Sequence, residues 1–185
     1  FGWDSTTLRG YVFHEPEYNE TVIAFKGTDT PFFGETSHSD TAQDWFMFSC
    51  CGEGAPTVLL GAYTGCGCDS RNPNTVYLEC DLSCFHNCVV TERPNSYFVM
   101  ALPIFQLAQN LFPGDFFFTG HSLGGSVAQL LSTYLYYPSV TFEAPPTRRH
   151  AWVQGMNVSD SFNFRLPIFG FGAYNDPIFV GDGNC

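Results

Sequence analysis

Asp115-Phe116-Phe117-Phe118-Thr119-Gly120-His121-Ser122-Leu123-Gly124-Gly125-Ser126-Val127-Ala128-Gln129-Leu130-Leu131 is the stretch that decides the fold. Its first five residues form an apolar run of the kind expected of a buried strand. From Leu123 onward, Leu123, Val127, Leu130, Leu131, Tyr134 and Leu135 recur on one face of a helix. Between them Gly120-x-Ser122-x-Gly124 leaves room for only a sharp turn, and glycine on both sides lets the backbone make it. A serine there stands clear of the sheet, and the helix behind it points N–H groups and the positive end of its dipole at whatever the hydroxyl attacks. Ser122 is therefore the expected nucleophile, with the N–H of Leu123 as one oxyanion donor.

The same alternation of strand and helix extends outward in both directions. Thr21-Val22-Ile23-Ala24-Phe25, closed by Gly27, reads as an earlier buried strand, and Phe98 to Leu111 carries helical spacing with Pro103 inside it. Val140-Thr141-Phe142 is a further strand, and residues 162–169 form another before Asn175-Asp176-Pro177. Strands alternating with helices predict a mostly parallel sheet in one α/β domain over residues 1–185, interrupted by a cysteine-rich insertion at 49–91. At the end of the first strand Thr28 is the candidate second oxyanion donor, through its N–H and its hydroxyl. Asp176, in a loop after the last strand, is the candidate acid that orients an imidazole. Asp44-Trp45-Phe46-Met47-Phe48 reads either as a lid or acyl-facing wall, or as a core segment anchoring the insertion.

In this chain order the histidine should follow the acid, yet His14, His38, His86, His121 and His150 all precede Asp176. The expectation is that the catalytic His lies on a segment absent from these 185 residues, the C-terminal part of the domain being missing. The alternative is a second polypeptide tethered through Cys185.

Composition narrows the setting. Eighteen acidic against seven basic residues give a net charge of −11, which argues against a nucleic-acid partner. Seven of the eight cysteines fall between Cys50 and Cys88, as an oxidising compartment permits, and disulfides are expected there. A zinc site is the competing reading, disfavoured because no pair of CxxC knuckles is present. Asn19-Glu20-Thr21 and Asn157-Val158-Ser159 are glycosylation acceptor triplets, which fits passage through the secretory route. No residue pattern calls for a metal or a cofactor.

Four motifs in order resemble the class 3 lipases, the fungal triglyceride lipase family: Phe25-Lys26-Gly27-Thr28, Gly120-His121-Ser122-Leu123-Gly124-Gly125, Val140 to Pro145, and Asp176-Pro177-Ile178. Phe48-Ser49-Cys50-Cys51, Cys66-x-Cys68 and Cys80-x-x-x-Cys84 make the chain similar to the autophagy-related vacuolar lipases within that family. The resemblance implies an α/β-hydrolase fold, Ser122 and Asp176 as triad members, Thr28 and Leu123 at the oxyanion, and a phospholipid or acylglycerol substrate at a lipid surface. Two other functions use the same residues: a catalytically inactive, lipase-like lipid-binding protein, and an esterase for soluble substrates.

Overall fold

The polar loop Pro16 to Asn19, in which Asn19 takes a φ of 60°, folds the chain into a hairpin of β1 (Gly10–Glu15) and β2 (Glu20–Phe25). The computed structural model describes residues 1–3, 7–29, 37–48, 66–71, 78–92, 96–159 and 166–180. After the hairpin come α1 (Ser37–Phe48), the short strands β3 (Asp69–Arg71) and β4 (Leu78–Cys80), α2 (Leu82–Asn87) and a π-helical turn at Cys88–Glu92. Then follow α3 (Tyr97–Leu111), β5 (Asp115–His121), α4 (Leu123–Leu135), β6 (Ser139–Phe142), α5 (Arg148–Val153), β7 (Ile168–Phe171) and α6 (Pro177–Val180).

The main sheet has five strands in the order β1-β2-β5-β6-β7, parallel throughout except for the β1 hairpin. The α/β class expected from the sequence is thus observed. Strand order advances in one direction from β2 to β7, so right-handed crossovers put every connecting helix on the same face. Contacts agree with that rule: α3 packs on α4, and α1 packs on both α4 and α5. Beneath them lie alternate residues of the strands, Ile23 and Phe25 of β2 and Phe116 and Phe118 of β5, all buried. Phe105 of α3 meets Phe116 and Phe118 edge-on, at 5.4 Å in each case. Leu123, Val127, Leu130 and Leu131 of α4 are fully buried, each side chain contributing about 1.5–3 kcal/mol.

Segment boundaries follow the sequence closely for β2, α3, β5 and α4. Others do not. The strand expected at residues 162–169 is seen as β7 at Ile168–Phe171, with residues 160–165 outside the described residues. The β1 strand was not anticipated. The Asp44 to Phe48 run lies in the last turns of α1, where Phe46 and Met47 are buried in the core, so at those two residues the core-segment reading holds and the lid reading does not. Tyr134, placed on the apolar face of α4, is half exposed and touches Phe98 edge-on.

Within the cysteine-rich stretch, disulfides join Cys66 to Cys88 and Cys68 to Cys84, while Cys80 carries a free thiol. The expectation of disulfides is met at these four residues, tying the segment just ahead of β3 to α2 and the π turn. Residues 49–65 and 72–77 of the proposed insertion lie outside the described residues, as do Cys50, Cys51 and Cys185.

Candidate functional site

Parallel strands advancing side by side bring their C-terminal ends to one edge of the sheet, where α/β folds place their sites. Ser122 follows β5 directly, Glu143 follows β6, Thr28 lies just past β2, and Asp176 lies in the loop after β7. Four residues singled out by motif or by acidity therefore share that edge.

Ser122 occupies φ 53°, ψ −129°, a conformation costly for a residue with a Cβ. Its surroundings hold it there. The Ser122 N–H donates to the Phe142 carbonyl at 2.9 Å, and its carbonyl accepts from the Ser126 N–H at 3.1 Å. A Cβ at Gly120 would lie 2.4 Å from the backbone of Gly124, and one at Gly124 would lie 2.3 Å from the Phe25 carbonyl oxygen. Only glycine at both positions allows strand, turn and helix to approach so closely. Serine at a helix N-cap commonly spends its hydroxyl on a first-turn N–H; here the side chain makes no such bond. Leu123 opens α4 with its side chain fully buried, so what it can offer a ligand is its N–H.

The loop after β2 is fastened by charge. Lys26 Nζ donates to the Gly27 carbonyl at 2.8 Å and lies 2.7 Å from Asp29 and 3.1 Å from Asp40. Asp40, buried on α1, also accepts the Asp29 N–H at 3.0 Å and the Tyr97 hydroxyl at 2.8 Å. Gln43 accepts the Tyr97 N–H at 3.0 Å, so the first turn of α3 joins the network. Burial pushes the Tyr97 phenol up from its ordinary range. The Thr28 hydroxyl donates to Asp44 at 2.6 Å. Burial raises the Asp44 carboxyl to about 6, the Thr28 bond opposing the shift and the charge of Asp40 adding to it. A hydroxyl has one proton, and this one is engaged by Asp44, so of the two donors expected of Thr28 the N–H is the one left to an oxyanion.

Past β7, Asp176 Oδ1 accepts the Ile178 N–H at 2.8 Å, and the Asp176 carbonyl accepts from Val180 at 3.0 Å, which starts α6. The carboxylate is half buried and thus doubles as a turn-forming group. Glu143, just past β6, is a second acid on this edge. It takes a φ of 47°, donates its N–H to the Phe171 carbonyl at 2.7 Å, and accepts the Ala173 N–H on both carboxylate oxygens, at 3.0 and 3.1 Å. It therefore clasps the end of β6 to the loop that leads to Asp176, a role whose sequence signal was the Phe142-Glu143-Ala144-Pro145 motif.

Three of the histidine side chains are held by other contacts. His14 is at the opposite end of the sheet, its Nδ1 3.0 Å from the Thr21 hydroxyl and its ring stacked on Phe112. His86 meets the Val153 carbonyl from α2. His150 is fully buried against Phe46, its Nδ1 without a hydrogen-bond partner, and burial lowers its pKa to about 4. His121 ends β5 exposed to solvent, and His38 belongs to α1 with its side chain outside the described residues. Asn19 and Asn157 are both exposed, at the hairpin turn and in a turn where Asn157 Oδ1 accepts the Ser159 N–H.

No protein-family model and no solved structure matches the chain. Curated relatives do. A protein of Candida glabrata named "Putative lipase ATG15" is 33% identical over all of this chain and 36% of its own length. Its namesake in Pichia angusta is 32% identical over 98% of the chain and 33% of its own length, and that of Penicillium rubens is 29% identical over all of the chain and 28% of its own. The chain thus spans about a third of the length of the curated relatives it matches. With similarity running from one end of the chain to the other, it is a homologue of the proteins that bear the name "Putative lipase ATG15".

Proposed function

We propose that this chain is the nucleophile-bearing part of an α/β-hydrolase domain that cleaves carboxylic esters of lipids, phospholipid or acylglycerol, through an acyl-enzyme on Ser122. The observation that carries the reading is the strained turn at Ser122, whose hydroxyl is left out of helix capping at the end of a parallel strand. Strain of this kind persists where the surrounding structure maintains it for use.

In the proposed reaction Ser122 Oγ attacks the ester carbonyl carbon while a histidine takes its proton. The Leu123 and Thr28 N–H groups hold the oxyanion, and Asp176 orients and stabilises the imidazolium. The tetrahedral species collapses, the alcohol leaves with the histidine's proton, and an acyl-serine remains. Water then gives a proton to the histidine and its oxygen to the acyl carbon, and that proton returns to Ser122 as the acid departs. The histidine is assigned to sequence outside these 185 residues, in the same polypeptide or in a companion joined through Cys185. The buried, desolvated state of His150 supports looking elsewhere for it.

Disulfides fit a lumenal or secretory setting. Within it we assign a vacuolar or lysosomal lumen, with glycans on Asn19 and Asn157. The test is a protein that carries the chain with its flanking sequence, exposed to a fluorophosphonate probe and to phospholipid and triglyceride emulsions. Wild type should label and turn over, and Ser122→Ala should do neither. Lipid binding without labelling in the wild type would favour the inactive binding protein, and activity on dissolved esters with no rise at a lipid surface would favour the soluble-substrate esterase.

A further inference from the structure

Glu143 stands between the nucleophile and the acid and is tied to the backbone of both. The peptide unit that joins Phe142 to Glu143 is hydrogen-bonded on each side. Its carbonyl accepts the Ser122 N–H at 2.9 Å, and its N–H donates to the Phe171 carbonyl, at the end of β7, at 2.7 Å. Two residues on, the buried Ser126 hydroxyl of α4 donates to the Pro145 carbonyl at 2.8 Å. The backbone around Glu143 is thus fixed, before and after, to the turn and helix that carry Ser122. From that base the carboxylate reaches the Ala173 N–H, which lies 3.0 and 3.1 Å from its two oxygens, and the Ala173 carbonyl in turn accepts the Asp176 N–H at 3.1 Å. One side chain and one loop residue connect the two backbones.

The loop that carries Asp176 has need of such a hold. Ala173 is exposed, Tyr174 is 91% exposed, and among the described residues the other hydrogen bonds of residues 172–176 stay within the loop or run to α6. Glu143 itself keeps a φ of 47°, which is costly for a residue with a Cβ and which glycine would adopt freely. What glycine would lack is the carboxylate on Ala173. We infer that Glu143 is a positioning residue for the reaction proposed above, setting the span from Ser122 to Asp176 and, through Asp176, the orientation of the imidazole between them. The inference rests on Asp176 being the triad acid. The two carboxylates are engaged in a way that suits this division: Glu143 has both oxygens on Ala173, whereas Asp176 commits only Oδ1, to the Ile178 N–H, among the described residues.

The test is kinetic, on the protein with its flanking sequence and with a p-nitrophenyl ester of a short-chain acid as substrate. Glu143→Ala should lower kcat about 10- to 100-fold with little change in KM, because a loosened acid misplaces the base without altering how the ester binds. Glu143→Gln, which keeps an acceptor oxygen for the Ala173 N–H, should retain most of the turnover. Glu143→Gly removes the carboxylate and the strain together, so it should lose turnover as the alanine variant does, and it carries the test where the alanine variant fails to fold. In an Asp176→Asn background Glu143→Ala should change kcat by less than about 2-fold, since the acid whose place it sets is already gone. The acid limb of the kcat/KM profile, which reports the imidazole, should move to lower pH in Glu143→Ala, because a displaced carboxylate stabilises the imidazolium less. Losses that add in full in the double variant, an unmoved acid limb, or full turnover in the alanine and glycine variants would overturn the inference and leave the chemistry of Ser122 standing. Turnover that survives Asp176→Asn but not Glu143→Gln would make Glu143 the triad acid and overturn it as well. A wild type that neither turns over nor labels with a fluorophosphonate probe would remove the reaction itself, and the inference with it.

Discussion

In the proposed reaction the Thr28 side chain acts without touching the ester. Its hydroxyl is 2.6 Å from a buried carboxylate, and that bond fixes the peptide unit whose N–H we assign to the oxyanion. Thr28→Val keeps the shape and removes the bond, so ester turnover should fall about 10- to 100-fold with little change in KM, while Thr28→Ser should retain most of it. Steady-state kinetics on a short-chain ester at fixed pH measures the split, and unaltered turnover in the valine variant would dismiss the role. His150 carries a different consequence. Its folded pKa, about 4, lies below the unfolded value of 6.5, so the unfolded chain binds the extra proton first. Stability from this residue is complete above pH 6.5 and is lost as the pH falls toward 4. Between pH 7 and pH 5 the wild type should lose about 2 kcal/mol that a His150→Leu variant does not lose, readable from urea melts of both proteins at the two pH values. A constant difference between them would mean that the ring is hydrated or paired.

The strand, turn and helix around Ser122 agree most closely between sequence and structure, because all of their determinants sit within a few consecutive residues. Gly124 illustrates how tightly they pack: an added Cβ would meet the Phe25 oxygen at 2.3 Å and the Lys26 carbonyl carbon at 2.7 Å, both backbone atoms that cannot swing aside. Gly124→Ala should therefore cost about 3 kcal/mol or more and push α4 off the end of β2, lowering fluorophosphonate labelling along with the melting temperature. A variant that melts like the wild type would show the approach to be looser. Elements whose burial depends on distant partners were less legible. Phe46 and Met47 read as a lid or as core with equal ease, since what buries them is α1 packing across α4 and α5, at large sequence separation. The pairing of Cys66 with Cys88 and Cys68 with Cys84 was likewise closed to the sequence, because any four cysteines allow three connectivities. Asp176 was legible as an acid at a strand end, but its bond to the Ile178 N–H was not, and neither was the clasp made by Glu143.

At the scale of the whole molecule, charge and chemistry pull in different directions. The lipid hydrolysis proposed for this chain needs a surface, and a chain with a net charge of −11 is repelled by one that bears anionic headgroups. Exposed charges interact over about 10 Å at 0.1 M salt, so this repulsion is felt only near contact and weakens as salt rises. It also weakens with acidity, since the chain nears neutrality around pH 4.5. In sedimentation with vesicles at pH 7 and low salt, the chain should bind phosphatidylcholine more strongly than phosphatidylcholine mixed with phosphatidylserine. Added salt should narrow that gap, and so should a drop to pH 5. Equal binding at pH 7 would show that apolar contact outweighs the field, and a preference for the anionic vesicles would point to Arg148 and Arg149 as a local cationic contact within an acidic chain. If the gap closes on acidification, an acidic lumen is the setting in which this chain would work on membranes of either composition, because there its charge no longer selects against the anionic ones.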